Sequence, residues 1–119
     1  MLRVKERDIQ AACEQFLGWD GWRIWHPEQN WSEKKRKTVG EAGAPDCHAV
    51  RYLVPPSSET VYIEWKSKSG VHGVKQIAWR MAERARGALV WVAKEDFEAD
   101  FDSFLQFYRA SGLLRRQGL

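Results

Sequence analysis

Glu64-Trp65-Lys66 sets a carboxylate and an ammonium two residues apart, and Pro45-Asp46 offers a second carboxylate from a separate segment. In a strand, successive side chains point to opposite faces, so Glu64 and Lys66 share one face and Trp65 takes the other. Val61, Ile63 and Trp65 then form an apolar set suited to a core. A β-hairpin that brings Asp46 beside Glu64 and Lys66 would align two acids and one amine. Such a face is suited to holding a divalent cation against a phosphate. Gln76 follows at the start of a predicted helix.

The surrounding pattern predicts the elements that position these groups. Ile9, Ala12, Cys13, Phe16 and Leu17 recur at helical spacing over residues 4–17, with Gly18 as the expected stop. Glu6 lies three residues before Ile9 and shares that inward stripe, an unusual place for an acid. Trp22-Arg23-Ile24-Trp25-His26 reads as a short strand closed by Pro27. Residues 28–44 read as a long exposed loop carrying the block Lys34-Lys35-Arg36-Lys37. Strands are expected over about 47–54 and 60–66, turning near Pro56-Ser57, which sets Asp46 opposite the Lys66–Lys68 region. A helix over 74–86 is expected to bury Ile77, Ala78, Met81, Ala82 and Ala85. The apolar run Ala88–Ala93 reads as a covered strand, and a last helix over 95–110 carries Phe97, Phe101, Phe104, Leu105 and Tyr108. The strand–helix–strand step from residue 60 to 93 predicts a parallel pair joined by a right-handed crossover.

Gly43-Ala44-Pro45-Asp46, then Val61-Tyr62-Ile63-Glu64-Trp65-Lys66, then Gln76, resembles the PD-(D/E)xK nuclease superfamily. The compact VRR-NUC type, similar to Holliday-junction resolvases, is the nearest pattern, over roughly residues 3–93. The resemblance implies an α/β, restriction-endonuclease-like core, a mixed central sheet of about four strands flanked by helices in the order α-β-β-β-α-β-α. It implies one such domain over residues 1–119. It also implies a metal-dependent endodeoxyribonuclease that hydrolyses phosphodiester bonds with Mg²⁺, for which Mn²⁺ substitutes. Magnesium prefers one or two carboxylates plus waters and substrate oxygens, and Asp46 and Glu64 fit as direct ligands. By the resemblance, the backbone carbonyl of Trp65 adds an oxygen, Glu6 is the first-helix acid that reaches the metal through water or holds a second ion, and Gln76 orients Lys66 or touches the phosphate. Lys66 positions or deprotonates the attacking water, or holds the phosphate. A tryptophan stands where the family pattern has a smaller β-branched residue; Ala78, Ala82 and Ala85 on a facing helix would make room for it.

Each residue also has an ordinary reading. Asp46 can cap a turn, Glu64 and Lys66 can be a surface ion pair worth well under about 1 kcal/mol, Glu6 can be a first-turn acid, and Gln76 can be a solvated helix residue. Their joint order and context favour the nuclease reading. A catalytically silent DNA-binding or assembly module of the same fold is the alternative, and a small interaction protein a further one. Lys34, Lys35, Arg36, Lys37, Lys68, His72 and Lys75 are the candidate DNA contacts. The net charge of +3 permits a nucleic-acid partner without demanding one.

With 119 residues, the chain is long enough for one core. Its two cysteines, Cys13 and Cys47, have no CxxC spacing, and the three histidines have no ligand spacing, so neither a disulfide framework nor a zinc site is expected. No stretch approaches the roughly 20 apolar residues of a membrane span, and the charged N-terminus carries no signal-type run, so a cytoplasmic protein is expected. The lack of an added specificity domain favours branched or junction DNA over a sequence-read site. The resemblance further implies a homodimer, with Trp79 or the last helix (Phe104, Phe107) as interface. Trp65 and Trp91 are assigned to the core, and Trp19, Trp22, Trp25 and Trp31 to packing near the first strand.

Overall fold

The computed structural model describes residues 5–26, 31–32, 37–38, 43–45 and 47–115, and within 31–32 and 37–38 the backbone alone. In chain order the elements are α1 (Glu6–Trp19), β1 (Arg23–Trp25), β2 (Trp31–Ser32), β3 (Lys37–Thr38), β4 (Cys47–Tyr52), β5 (Ser58–Glu64), α2 (Val74–Ala85), β6 (Leu89–Val92) and α3 (Phe101–Ala110). The fold is α/β: a four-stranded mixed sheet of order β1-β4-β5-β6 with three helices, and a separate β2-β3 pair. β1 and β4 are antiparallel, as are β4 and β5, whereas β5 and β6 run parallel across α2. The predicted parallel pair with a helix between its strands is therefore present.

Several boundaries differ from those the pattern predicts. α1 continues through Gly18, and the chain turns instead at Gly21, whose φ of +94° only glycine adopts readily. The expected loop over 28–44 contains β2 and β3, which pair Trp31 with Thr38 and Ser32 with Lys37. Two-residue strands leave no periodicity to read. The β4–β5 register pairs Cys47 with Ile63 and Tyr52 with Ser58, several residues away from the expected register. β5 ends at Glu64, so Trp65 and Lys66 follow the strand rather than lying in it. α3 begins at Phe101, six residues later than expected. Asp100 caps it, its carboxylate accepting from the Ser103 backbone N–H at 2.7 Å. The preceding turn bridges Ala93 to Phe97 and sends Phe97 into the core.

The sheet has two unlike faces. On one, Cys47, Ala49, Val61, Ile63 and Trp91 pack with Ile9, Cys13, Phe16 and Leu17 of α1 and Phe104 and Tyr108 of α3 into a single core cluster. Trp65 joins them, its ring 5.3 Å from Phe104 and 6.2 Å from Phe97. The tryptophan thus fits against α3, and the α2 alanines have no part in making room for it. A buried polar knot closes the far end: Trp22 Nε1 donates to Tyr108 Oη at 2.8 Å, Tyr108 donates to Asp20, and Arg51 pairs with Asp20 at 3.1 Å. Burial and the Asp20 bond push the Tyr108 hydroxyl up to about 12.

The other face is covered by α2, in an orientation opposite to the predicted one. Ile77 and Met81 are exposed, as are Ala78, Ala82 and Ala85, while Gln76, Trp79, Arg80, Glu83 and Arg84 are the more enclosed positions. The physical reason lies in the sheet beneath, where Glu64 needs polar partners that an apolar stripe would deny it. Arg84 also serves the edge strand: its Nη2 donates to the Val90 carbonyl at 2.9 Å, and the Val92 N–H donates to Asp96 at 2.7 Å. No helix among the described residues is long and apolar enough to cross a membrane.

Candidate active site

Glu64 is the last residue of β5 and is buried with 8% exposure. A buried carboxylate needs donors. Gln76, in the first turn of α2, donates from Nε2 to Glu64 Oε1 at 2.8 Å. The other end of the same amide is fixed, because Gln76 Oε1 accepts from the Gly73 N–H at 2.8 Å. That second bond decides which way the amide points. Lys66 Nζ lies 3.7 Å from Glu64 Oε1, with 15% of its side chain exposed. Three of the sequence-predicted groups are therefore in one place.

A small cleft opens beside Glu64, lined by Gly43, Pro45, Gln76, Trp79, Arg80 and Val90. It encloses room for about one water molecule. Gly43 sets its outer wall. Its φ is +83°, and a Cβ built there would lie 2.1 Å from the Lys75 carbonyl oxygen, so only glycine lets this loop meet α2 so closely. Pro45 is buried in consequence and faces the same cleft. Asp46 itself lies outside the described residues, as do Lys34, Lys35 and Arg36; the side chain of Lys37, in β3, does as well.

Behind the cleft, polar groups hold α2 and the loop after β5. His72 Nε2 donates to the Ala93 carbonyl at 2.7 Å, which leaves Nδ1 to accept from Arg80 at 3.3 Å. Arg80 is buried and pairs with Glu95 at 3.1 Å. Burial is the main cause that lowers the His72 pKa, opposed by the Ala93 bond and reinforced by Arg80 and Lys66. His72 is thus an internal strut, held on both ring nitrogens. Lys94 Nζ donates to the carbonyls of Lys68 and Gly70, at 2.9 and 2.5 Å, and fixes the loop from the other side. Lys68 and Lys75 are exposed.

Glu6 begins α1, half-buried, and α1 packs on the opposite face of the sheet. Among the described residues no hydrogen bond or ion pair joins it to Glu64, Lys66 or Gln76. Trp65 follows Glu64 directly, its ring in the core. Of the residues assigned to a dimer interface, Phe104 is fully buried, Phe107 packs 5.4 Å from Trp91, and Trp79 is half-buried with its ring 5.3 Å from Tyr62.

Sequence reasoning missed Arg80 and Tyr62, and it assigned Trp79 to an interface rather than to the cleft. Gln76, Trp79, Arg80 and Glu83 repeat at helical spacing as cleanly as the apolar residues do, and that polar stripe was the available signal. Trp79 lines the cleft, and its indole N–H is buried with no hydrogen-bond partner among the described residues. A row of rings runs across the same face: Trp25 to His48 at 5.3 Å, His48 to Tyr62 at 5.9 Å, and Tyr62 to Trp79. Burial lowers the His48 pKa, with nearby His26 as a second cause.

Compared with known proteins, the chain matches no family model, no curated protein and no solved structure.

Proposed function

We propose that the chain is a Mg²⁺-dependent endodeoxyribonuclease of the PD-(D/E)xK, restriction-endonuclease-like type, selecting branched or junction DNA by shape. The observation that supports this reading best is the meeting of Lys66 and Gln76 at Glu64, with Glu64 and Gln76 lining one small cleft walled by Pro45. These residues fit a hard cation. Glu64 is a buried oxygen donor facing a space of water size, and Asp46, next to the cleft-lining Pro45, is the second carboxylate of the proposal. Bound there, Mg²⁺ would polarise a phosphoryl oxygen and acidify an attacking water.

The chain's own groups then have separate jobs. Lys66 brings a positive charge to a non-bridging phosphate oxygen, a task for a point charge. Gln76 positions Glu64, since its amide is held at both ends. Lys68 and Lys75, both exposed, would meet the DNA backbone, along with Lys34, Lys35, Arg36 and Lys37. The proposed homodimer rests on the resemblance alone; light scattering that finds only a 13.9 kDa species at micromolar concentration would remove it.

The test is cleavage of junctions, flaps, single strands and linear duplexes with Mg²⁺, Mn²⁺ or EDTA. Cutting is expected with either metal and not with EDTA. Glu64→Ala and Lys66→Ala should each lower the rate by about 10²-fold or more while DNA binding persists, and Gln76→Ala by about 10-fold. A Lys66→Ala protein that cuts at the wild-type rate, or a wild-type protein that cuts nothing in the panel, would overturn the reading.

A further inference from the structure

Three side chains from three elements converge on the α1 side of the sheet, away from Glu64. Glu14 belongs to α1, His26 follows β1, and Cys47 opens β4. The register pairs Trp25 with His48, which brings His26 abreast of Cys47. A carboxylate oxygen of Glu14, a ring nitrogen of His26 and Sγ of Cys47 all lie within 4.8 Å of one another. His26 Nε2 is 2.9 Å from both Glu14 oxygens.

We propose that Glu14, His26 and Cys47 form a binding site for one zinc-class divalent ion, Zn²⁺ or Co²⁺. The donor set decides the metal class. A thiolate, an imidazole and a carboxylate suit a borderline-soft ion, whereas Mg²⁺ asks for oxygen throughout. Metal–ligand bonds of about 2.0 to 2.3 Å put tetrahedral neighbours about 3.3 to 3.8 Å apart, so the observed cluster needs only a small contraction. Its outer contacts are in place. Trp65 Nε1 donates to Glu14 Oε2 at 3.1 Å and Gln10 Nε2 donates to the same oxygen at 2.9 Å, which orients the carboxylate. On binding, the Cys47 S–H proton and the Nε2 proton that His26 shares with Glu14 leave to solvent, and His26, neutral with any remaining proton on Nδ1, gives the Nε2 lone pair. The fourth position opens on the exposed His26 side, where a water can complete the shell. The ion would tie α1 and the edge strand β1 to β4. This site is independent of the nuclease reading, and an ordinary Glu14–His26 ion pair is the competing account of the same contacts.

The experiment is a Co²⁺ titration of the chelator-treated full chain, followed by absorption and thermal unfolding. One equivalent of Co²⁺ should produce a thiolate-to-cobalt charge-transfer band that Zn²⁺ displaces, and saturating Zn²⁺ should raise Tm by about 4 °C or more. Cys47→Ser should remove the band. Since Cys47 is fully buried, His26→Ala at an exposed position is the companion variant, expected to fold normally and weaken binding by about 100-fold. Glu64→Ala should leave the cobalt affinity unchanged, which separates this site from the cleft. No thiolate band in the wild-type protein, or an undiminished affinity in His26→Ala, would overturn the proposal and leave the ion pair as the whole account.

Discussion

The two faces of the central sheet are built from the same four strands and do opposite things. The α1/α3 face is mostly aromatic: Trp65, Trp91, Phe97, Phe104 and Tyr108 meet edge to face or stacked, and the polar tips of Trp65 and Tyr108 reach Glu14 and Asp20 at its margins. On the α2 face, charged and amide side chains of the helix are enclosed while several of its apolar ones are exposed. Gln76 and Arg80 point inward to Glu64, His72 and Glu95, while Val74, Ile77 and Met81 point outward with 83%, 39% and 64% exposure. The contrast separates a face filled by ring packing from one that gathers charge.

Truncation on each face is the strongest way to break this comparison. Phe104 is fully buried among Trp65, Trp91, Phe97 and Tyr108, so Phe104→Ala removes a ring and leaves a cavity. Urea unfolding should show a loss of about 3 to 5 kcal/mol. Met81→Ala on the outer side of α2 should move stability by no more than about 0.5 kcal/mol. Equal costs at the two positions would mean that α2 is packed the other way round.

The aromatic face was legible in the sequence because its residues announce themselves. Val61, Ile63 and Trp65 alternate, Ile9, Cys13, Phe16 and Leu17 keep helical spacing, and the run Ala88–Ala93 has one sensible place to go. The parallel β5–β6 pair follows from the intervening helix. For α2 the same logic failed, because two stripes compete on one helix and hydrophobicity alone chose the outward one. What decided the matter was a group on another element: Glu64, buried at the end of β5, requires Gln76 above it. The nearness of Glu64 and Lys66 was readable from their spacing, whereas Gln76, which the resemblance assigned to Lys66 or a phosphate, bonds Glu64 instead. The cluster of Glu14, His26 and Cys47 was not readable, since its members are 12 and 21 residues apart and only the β1–β4 register and the packing of α1 on the sheet unite them.

A smaller effect tests how the cleft is walled. Gly43→Ala places a Cβ against the Lys75 carbonyl and demands a positive φ of an alanine. The loop must lift from α2, at a cost of about 1 to 3 kcal/mol. Gly87 also has a positive φ, +100°, but a Cβ there meets nothing within 4 Å. Gly87→Ala therefore pays the backbone strain alone, about 1 kcal/mol. Under the proposed function Gly43→Ala should lose most of its cleavage and Gly87→Ala should keep it. Chemical denaturation and the DNA assay together read both numbers, and equal activity in the two variants would detach the Gly43 loop from the site.

The smallest effect is a pH dependence that belongs to the polar face. His72 is held neutral-leaning by burial, with Arg80 of α2 and Lys66 adding to the push, while the Ala93 carbonyl and Glu95 pull the other way. Its folded pKa is lower than its unfolded value, near 6.5, so the unfolded chain takes up the proton first. Stability from this group is then complete above that value and declines as pH falls through it. His48, also lowered, acts in the same window, whereas Glu95 and Asp100, lowered by the Arg84 and Ser103 hydrogen bonds, lose their contributions only in more acid solution. Thermal unfolding between about pH 7.5 and about pH 5.5 isolates the histidines. His72→Gln preserves a donor for Ala93 and an acceptor for Arg80 without the titration, so its Tm should fall less steeply with acid than that of the wild type. Parallel slopes would show that His72 binds its proton equally well folded and unfolded, and that the strut beneath the cleft carries no electrostatic load.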